Sequence, residues 1–126
     1  MKVLTDLIAR IMFAIPMLMF GVFHFMNAEF MAENLAPFGG VIIVYLTGLA
    51  LIAAAVSIVI KKKAALACLL LGVFLLLTVA TVHIPAMATD EMAMSHVLKD
   101  LGLAGGAWFM AGVFKKEEDA ASGAEG

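Results

Sequence analysis

Charged residues and cysteine are scarce in this chain, and their scarcity argues against several classes of function. Asp, Glu, Lys and Arg make up only 14% of its 126 residues, and Cys68 is its one cysteine. A lone cysteine cannot form a disulfide within the chain, and without a CxxC pair we do not expect thiol–disulfide chemistry from its own residues. The net charge of −2 comes with no basic stripe, which argues against a nucleic-acid partner.

Recognisable catalytic motifs are also missing from the sequence. It has no HExxH pair, no phosphate-binding glycine loop, no nucleophile next to a base and no paired carboxylates inside an apolar run. We therefore name no catalytic residues, and whether the chain catalyses a reaction stays open at this point.

Apolar residues are abundant instead. They account for 64% of the chain, and the mean hydropathy is +1.09, which excludes an ordinary soluble globule. A helix needs about 20 apolar residues to cross the hydrocarbon of a bilayer. The apolar residues form four runs: Leu7–Met26, Phe38–Ile60, Ala64–Ile84 and Leu101–Phe114.

The basic residues alternate from side to side across these four runs. Lys2 and Arg10 come at the start of the first run, Lys61–Lys63 separate the second and third, and Lys115 and Lys116 follow the fourth. Seven of the eight basic residues thus lie on one side, and basic residues remain on the cytoplasmic side of a membrane.

The pattern predicts an all-α fold, an antiparallel four-helix transmembrane bundle with cytoplasmic N- and C-termini. One domain would cover residues 1–116, followed by a disordered cytoplasmic tail at 117–126, whose composition is charged and rich in small residues. The localisation would be the bacterial cytoplasmic membrane, and the lipid bilayer the main partner. The predicted spans are about 7–27, 38–60, 64–84 and 96–114.

In this topology all three histidines of the chain lie at the outer side. His24 and His83 fall near the outer ends of spans one and three, and His96 opens span four. Each of them can simply cap a helix end, but ionisable groups in membrane spans often mark function. We predict a ligand site in the outer half of the bundle formed by His24 and His83, with Tyr45 assisting.

Two further interpretations stay open. Arg10 is either a plain positive-inside anchor or a functional residue, which pairs with Asp6 or binds an anionic head group or ligand from the cytoplasmic side. The other open interpretation is a metal site, because imidazole and thioether ligands suit Cu(I). Its ligands would be His83, Met92, Met94 and His96.

Several of these features together resemble the DoxX family of small four-span bacterial membrane proteins, over roughly residues 7–114. The resemblance rests on Arg10, on the run Phe20–Phe25 with its histidine, on Pro37, Gly48 and Lys61–Lys63 with the following Ala-Ala-Leu, and on Thr81–Pro85. Many members carry an acidic residue in span two, where this chain reads Tyr45-Leu46-Thr47-Gly48.

The resemblance implies a redox-associated membrane subunit, since relatives are linked to membrane oxidoreductases such as a thiosulfate:quinone oxidoreductase. A quinone-like or other small molecule is then the expected ligand, and quinone and haem are the candidate cofactors. Membrane oxidoreductases or a second copy of the chain are the candidate partners. Other hypotheses are a non-catalytic scaffold that docks partners through the glycines of span four, and a small-molecule or metal-ion carrier.

Overall fold

The computed structural model describes residues 2–33 and 40–125, and within these ranges the chain is helical and contains no strand. Four of its helices are long and apolar enough to cross a membrane. This confirms an all-α chain with four apolar helices, the architecture of a multi-pass membrane protein. The helices are α1 (Leu4–Met26), α2 (Ala28–Ala32), α3 (Gly40–Ile60), α4 (Ala64–Ala86) and α5 (Ala93–Glu125).

Large apolar side chains cover the surface of these helices. Leu49, Leu70 and Phe109 are among many that are exposed, as expected for helix faces that contact lipid rather than water. Pro37 and the predicted start of span two at residue 38 lie outside the described residues.

The residues divide into two compact units, an N-terminal unit (Met1–Lys62) and a C-terminal unit (Lys63–Gly126). In the N-terminal unit, α1 packs antiparallel on α3. The two helices come closest at Gly21 and Gly48, where a Cβ on Gly21 would lie 2.8 Å from the Gly48 carbonyl oxygen. Met17 and Val44 are fully buried beside this crossing. The absence of side chains at both glycines therefore allows the close approach.

A Schellman motif ends α3. Lys61 has a left-handed backbone (φ 57°) and the Lys62 amide donates to the Ser57 carbonyl at 3.2 Å. Glycine usually holds this position, because a side chain there costs about 1–2 kcal/mol. The break between spans two and three falls where the lysine run predicts it.

In the C-terminal unit, α4 packs antiparallel on α5. The Trp108 indole lies over Gly72 and donates its Nε1–H to the Leu69 carbonyl at 3.0 Å. Nearer the Lys63 end, the Ala65 amide donates to Glu118 at 3.3 Å. The order of these contacts, early residues of α4 against late residues of α5, shows the antiparallel pairing.

The C-terminal end of α5 differs from the predicted disordered tail at 117–126, because the structure continues as helix through Glu125. Lys115 and Asp119, one turn apart, form an ion pair of 2.9 Å. Side-chain pairs at this spacing support a helix, and Glu118 also binds α4. The helix begins at Ala93, just before the predicted start at 96, and the preceding Met92 amide donates to the Asp90 carboxylate at 2.9 Å.

Candidate functional site

The C-terminal unit places a carboxylate and two imidazoles together, and we call His83, His96 and Asp100 the Asp100 cluster. His83 comes near the end of α4, and the other two residues come from the start of α5. His96 and Asp100 are four residues apart, so one face of the helix presents both.

An irregular stretch of α4 presents His83. Residues Val79–His83 form a π-helical turn between two α-helical segments. Pro85 follows, and its nitrogen cannot donate to the carbonyl one turn earlier, so the regular hydrogen-bond ladder is interrupted here. Single π turns inside α-helices occur frequently at functional sites.

The centre of the cluster is a contact between His83 and Asp100. Nε2 of His83 lies 3.0 Å from Oδ2 of Asp100. Asp100 is 5% exposed, the one charged residue that is buried among those the structure describes. The Lys99 ammonium lies 3.8 Å from the second carboxylate oxygen, at the limit of an ion pair. A buried carboxylate is costly unless it is paired, so the imidazole and the ammonium stabilise it.

His96 completes the cluster through its ring. The imidazoles of His83 and His96 stack with centroids 5.1 Å apart and planes 19° from parallel. Both histidines are half-buried. The stack fixes the plane of the His83 ring, while Asp100 holds one of its nitrogens.

This arrangement leaves a defined chemistry at Nδ1 of His83. When an ionised Asp100 accepts the hydrogen bond, the proton of neutral His83 is on Nε2 and Nδ1 is an acceptor. The imidazolium form instead donates from Nδ1 to a carbonyl oxygen. Nδ1 can therefore bind a hydroxyl group as an acceptor or a carbonyl group as a donor.

The N-terminal unit contains the three other predicted site residues, His24, Tyr45 and Arg10. Nδ1 of His24 lies 2.6 Å from the Phe20 carbonyl one turn earlier in α1. A carbonyl accepts, so Nδ1 carries the proton and Nε2 is the acceptor of this ring. The Tyr45 ring stacks on Phe25 with centroids 5.5 Å apart, so its structural contact is aromatic packing beside the helix crossing.

Arg10 lies at the other end of α1, about 21 Å along the helix from His24. Its Nε donates to Asp6 at 2.7 Å, and its Nη1 donates to the Val59 carbonyl near the end of α3. Arg10 therefore ties the two helices of its unit together, and the predicted pairing with Asp6 is confirmed. Within this unit the structure does not bring Arg10 to His24.

His24 and His83 belong to different units, and their joint role stays a prediction. The proposed metal ligands also stay a prediction: Met92 and Met94 are exposed, and only His83 and His96 are in contact. Within residues 2–33 and 40–125, no three His, Cys, Asp or Glu side chains are grouped so that they could hold a metal ion.

Asp100 is the residue of this cluster that the sequence prediction did not include. A signal was present: Asp100 directly precedes an apolar run and lies one helical turn after His96. Trp108 packs between α4 and α5.

Comparison with family models, with curated proteins and with solved structures finds no match to this chain. The resemblance to DoxX proteins therefore stays a prediction from the residues. The function is inferred from the geometry of the site.

Proposed function

We propose that this chain is a DoxX-like subunit of a membrane redox assembly, and that its Asp100 cluster binds a quinone-like ligand. The proposal includes an antiparallel four-helix bundle in a bacterial cytoplasmic membrane, with both termini cytoplasmic. In that orientation the ends of α4 and α5 that carry His83 and Asp100 lie in the outer half of the membrane.

The observation that carries this proposal is the buried contact between His83 and Asp100. The alternative is that the pair has only a structural role and joins α4 to α5. However, an apolar pair would join two membrane helices at lower desolvation cost, so ionisable groups in such segments usually mark a site of binding or proton transfer. The π turn that ends at His83 is a second feature that favours function.

The donor set suits a quinone better than haem. A quinone carries carbonyl oxygens and its reduced form carries hydroxyls, and Nδ1 of His83 can bind either group, depending on its own protonation. Haem ligation through Nε2 would require the contact with Asp100 to break. A quinone is also soluble in lipid and can reach His83 from within the bilayer.

The test is the quinone content of the purified protein. The chain is purified in mild detergent, isoprenoid quinones are extracted, and their molar ratio to protein is measured by mass spectrometry. His83→Ala and Asp100→Asn should lower the ratio about tenfold, the effect of one hydrogen bond of about 1.4 kcal/mol. Asp119→Asn, which changes an exposed carboxylate on the same helix, is the matched control.

The quinone proposal is rejected if the purified wild-type protein contains no quinone. It is also rejected if His83→Ala contains as much quinone as the wild type. His24→Ala extends the test to the predicted joint site. A loss that matches His83→Ala would support a shared site, and an unchanged ratio would limit the site to the C-terminal unit. Circular dichroism confirms that each variant is folded.

A second candidate function is a non-catalytic scaffold, which the glycines of α5 favour. A Cβ on Gly102, Gly105 or Gly112 would meet no atom within 4 Å, and Phe109 beside them is 79% exposed. Such a face allows another helix to approach closely. Under this hypothesis Gly105→Leu would abolish recovery of partner proteins while His83→Ala would leave it unchanged.

A further inference from the structure

An apolar groove runs along the N-terminal unit between α1 and α3. Its volume is about 210 Å³, and no polar surface lines it. Ala14 and Ala55 are buried at its floor, whereas the larger side chains form its walls. The lining residues are Ile11, Ala14, Ile15, Leu18, Ala55, Val56, Val59 and Ile60.

One end of this groove adjoins a cluster of charged residues. Ile11 follows Arg10 in α1, and Ile60 precedes Lys61 at the end of α3. Asp6 pairs with Arg10 at 2.7 Å and with Lys61 at 3.0 Å, so the three groups carry a net charge of +1. The exposed Lys62 follows directly and adds a second positive charge.

The backbone conformation of Lys61 also concerns the charged end of the groove. Lys61 occupies a left-handed position where glycine or asparagine would be less strained. Its pair with Asp6 holds the Lys61 ammonium at the end of the groove.

We propose that the groove binds an acyl chain of one anionic phospholipid, whose phosphate lies against Lys61 and Lys62. The apolar walls select a hydrocarbon chain and exclude polar ligands. The excess positive charge at one end selects an anionic headgroup over a zwitterionic one, and each lysine near a lipid surface strengthens such binding about fivefold. The proposal is independent of the quinone site, which lies in the C-terminal unit.

Native mass spectrometry of the detergent-purified chain tests the proposal with two probes of identical acyl chains, dioleoylphosphatidylglycerol and dioleoylphosphatidylcholine. We expect one retained phosphatidylglycerol at concentrations where phosphatidylcholine is lost. Val56→Trp fills the groove from its rim and should lower this retention about tenfold. Val73→Trp is its control, because Val73 is a similarly exposed valine on α4, at 42% against 48% for Val56.

The charged end is tested separately. Lys61→Asn removes the charge with a residue that accepts the left-handed backbone, and Lys62→Gln removes the neighbouring charge. Together they should lower phosphatidylglycerol retention about twentyfold and leave the weak phosphatidylcholine retention unchanged. The Lys115→Gln/Lys116→Gln double variant removes the same total charge elsewhere and should keep the retention within about twofold.

Three outcomes would overturn the proposal. These are equal retention of the two lipids, unchanged retention in Val56→Trp, and an equal loss in the Lys115/Lys116 variant, which would mean that net charge alone attracts the lipid. Circular dichroism and gel filtration establish that each variant is folded, so that a loss of lipid reports on the groove.

Discussion

At the scale of single residues, Asp100 stands apart from the other charged groups of this chain. The carboxylates of Asp6 and Asp119 are exposed enough to keep contact with water, but Asp100 is buried against His83. Exposed pairs contribute little to stability, because water solvates both partners nearly as well as they solvate each other. A buried pair matters more, because either partner left alone is unsatisfied.

The first prediction concerns this pair. Asp100→Ala should lower the free energy of unfolding by about 1–3 kcal/mol, because it removes the hydrogen-bond partner of a half-buried imidazole. SDS titration followed by circular dichroism measures the loss. Asp119→Ala, which breaks an exposed pair with Lys115, should cost less than about 1 kcal/mol.

A double-mutant cycle with His83→Ala isolates the contact itself. We expect a coupling energy of about 0.6–2 kcal/mol, the range for hydrogen bonds between membrane helices. Strictly additive effects of the two variants would show that the side chains do not interact.

At the scale of the helices, glycines have two different roles. Gly72 is covered by the Trp108 indole, and Gly21 and Gly48 allow α1 and α3 to approach closely. Gly105 instead has open space around it. Sequence alone treats these positions alike, although a side chain added at the first three would meet packed atoms.

The second prediction compares Gly72→Ala with Gly105→Ala. The first variant forces the Trp108 indole away and breaks its hydrogen bond to Leu69, at a cost of about 1–3 kcal/mol. Gly105→Ala should be neutral or stabilise the helix by up to about 1 kcal/mol. The chain has one tryptophan, so its fluorescence spectrum reports directly on Trp108. An unshifted spectrum in Gly72→Ala would contradict this packing.

At the scale of the whole molecule, the distribution of lysine and arginine predicts the orientation in the membrane. The connections between successive apolar helices alternate in the sign of their charge. The positive connections are expected in the cytoplasm. The four helices themselves are compatible with either orientation, because their length and hydropathy do not distinguish the two sides.

The third prediction is therefore a labelling pattern. Cys68 is buried and is replaced by alanine, after which Glu29, Lys62 or Glu91 is changed to cysteine. A membrane-impermeant maleimide should label positions 29 and 91 in intact cells, and position 62 only after permeabilisation. Labelling at position 62 in intact cells would reverse the orientation and move the Asp100 cluster to the cytoplasmic side.

Much of the helical organisation could be read from the sequence. Span three was predicted at 64–84 and the helix is Ala64–Ala86, because the length and hydropathy of a run are local properties. The contact between His83 and Asp100 could not be predicted in this way. It depends on the rotation of two helices about their axes, and an α4 apolar on nearly every face contains no periodic signal for that rotation.

The sequence by itself determined that four apolar segments form helices and that the lysine run separates the second from the third, because the hydrocarbon of a membrane requires every backbone group in it to be hydrogen-bonded. Tertiary packing alone decided which side chains meet: Trp108 over Gly72, Arg10 at the end of α3, and Asp100 against His83. These contacts join residues far apart in the chain, so they exist only once two helices have found their register and facing surfaces.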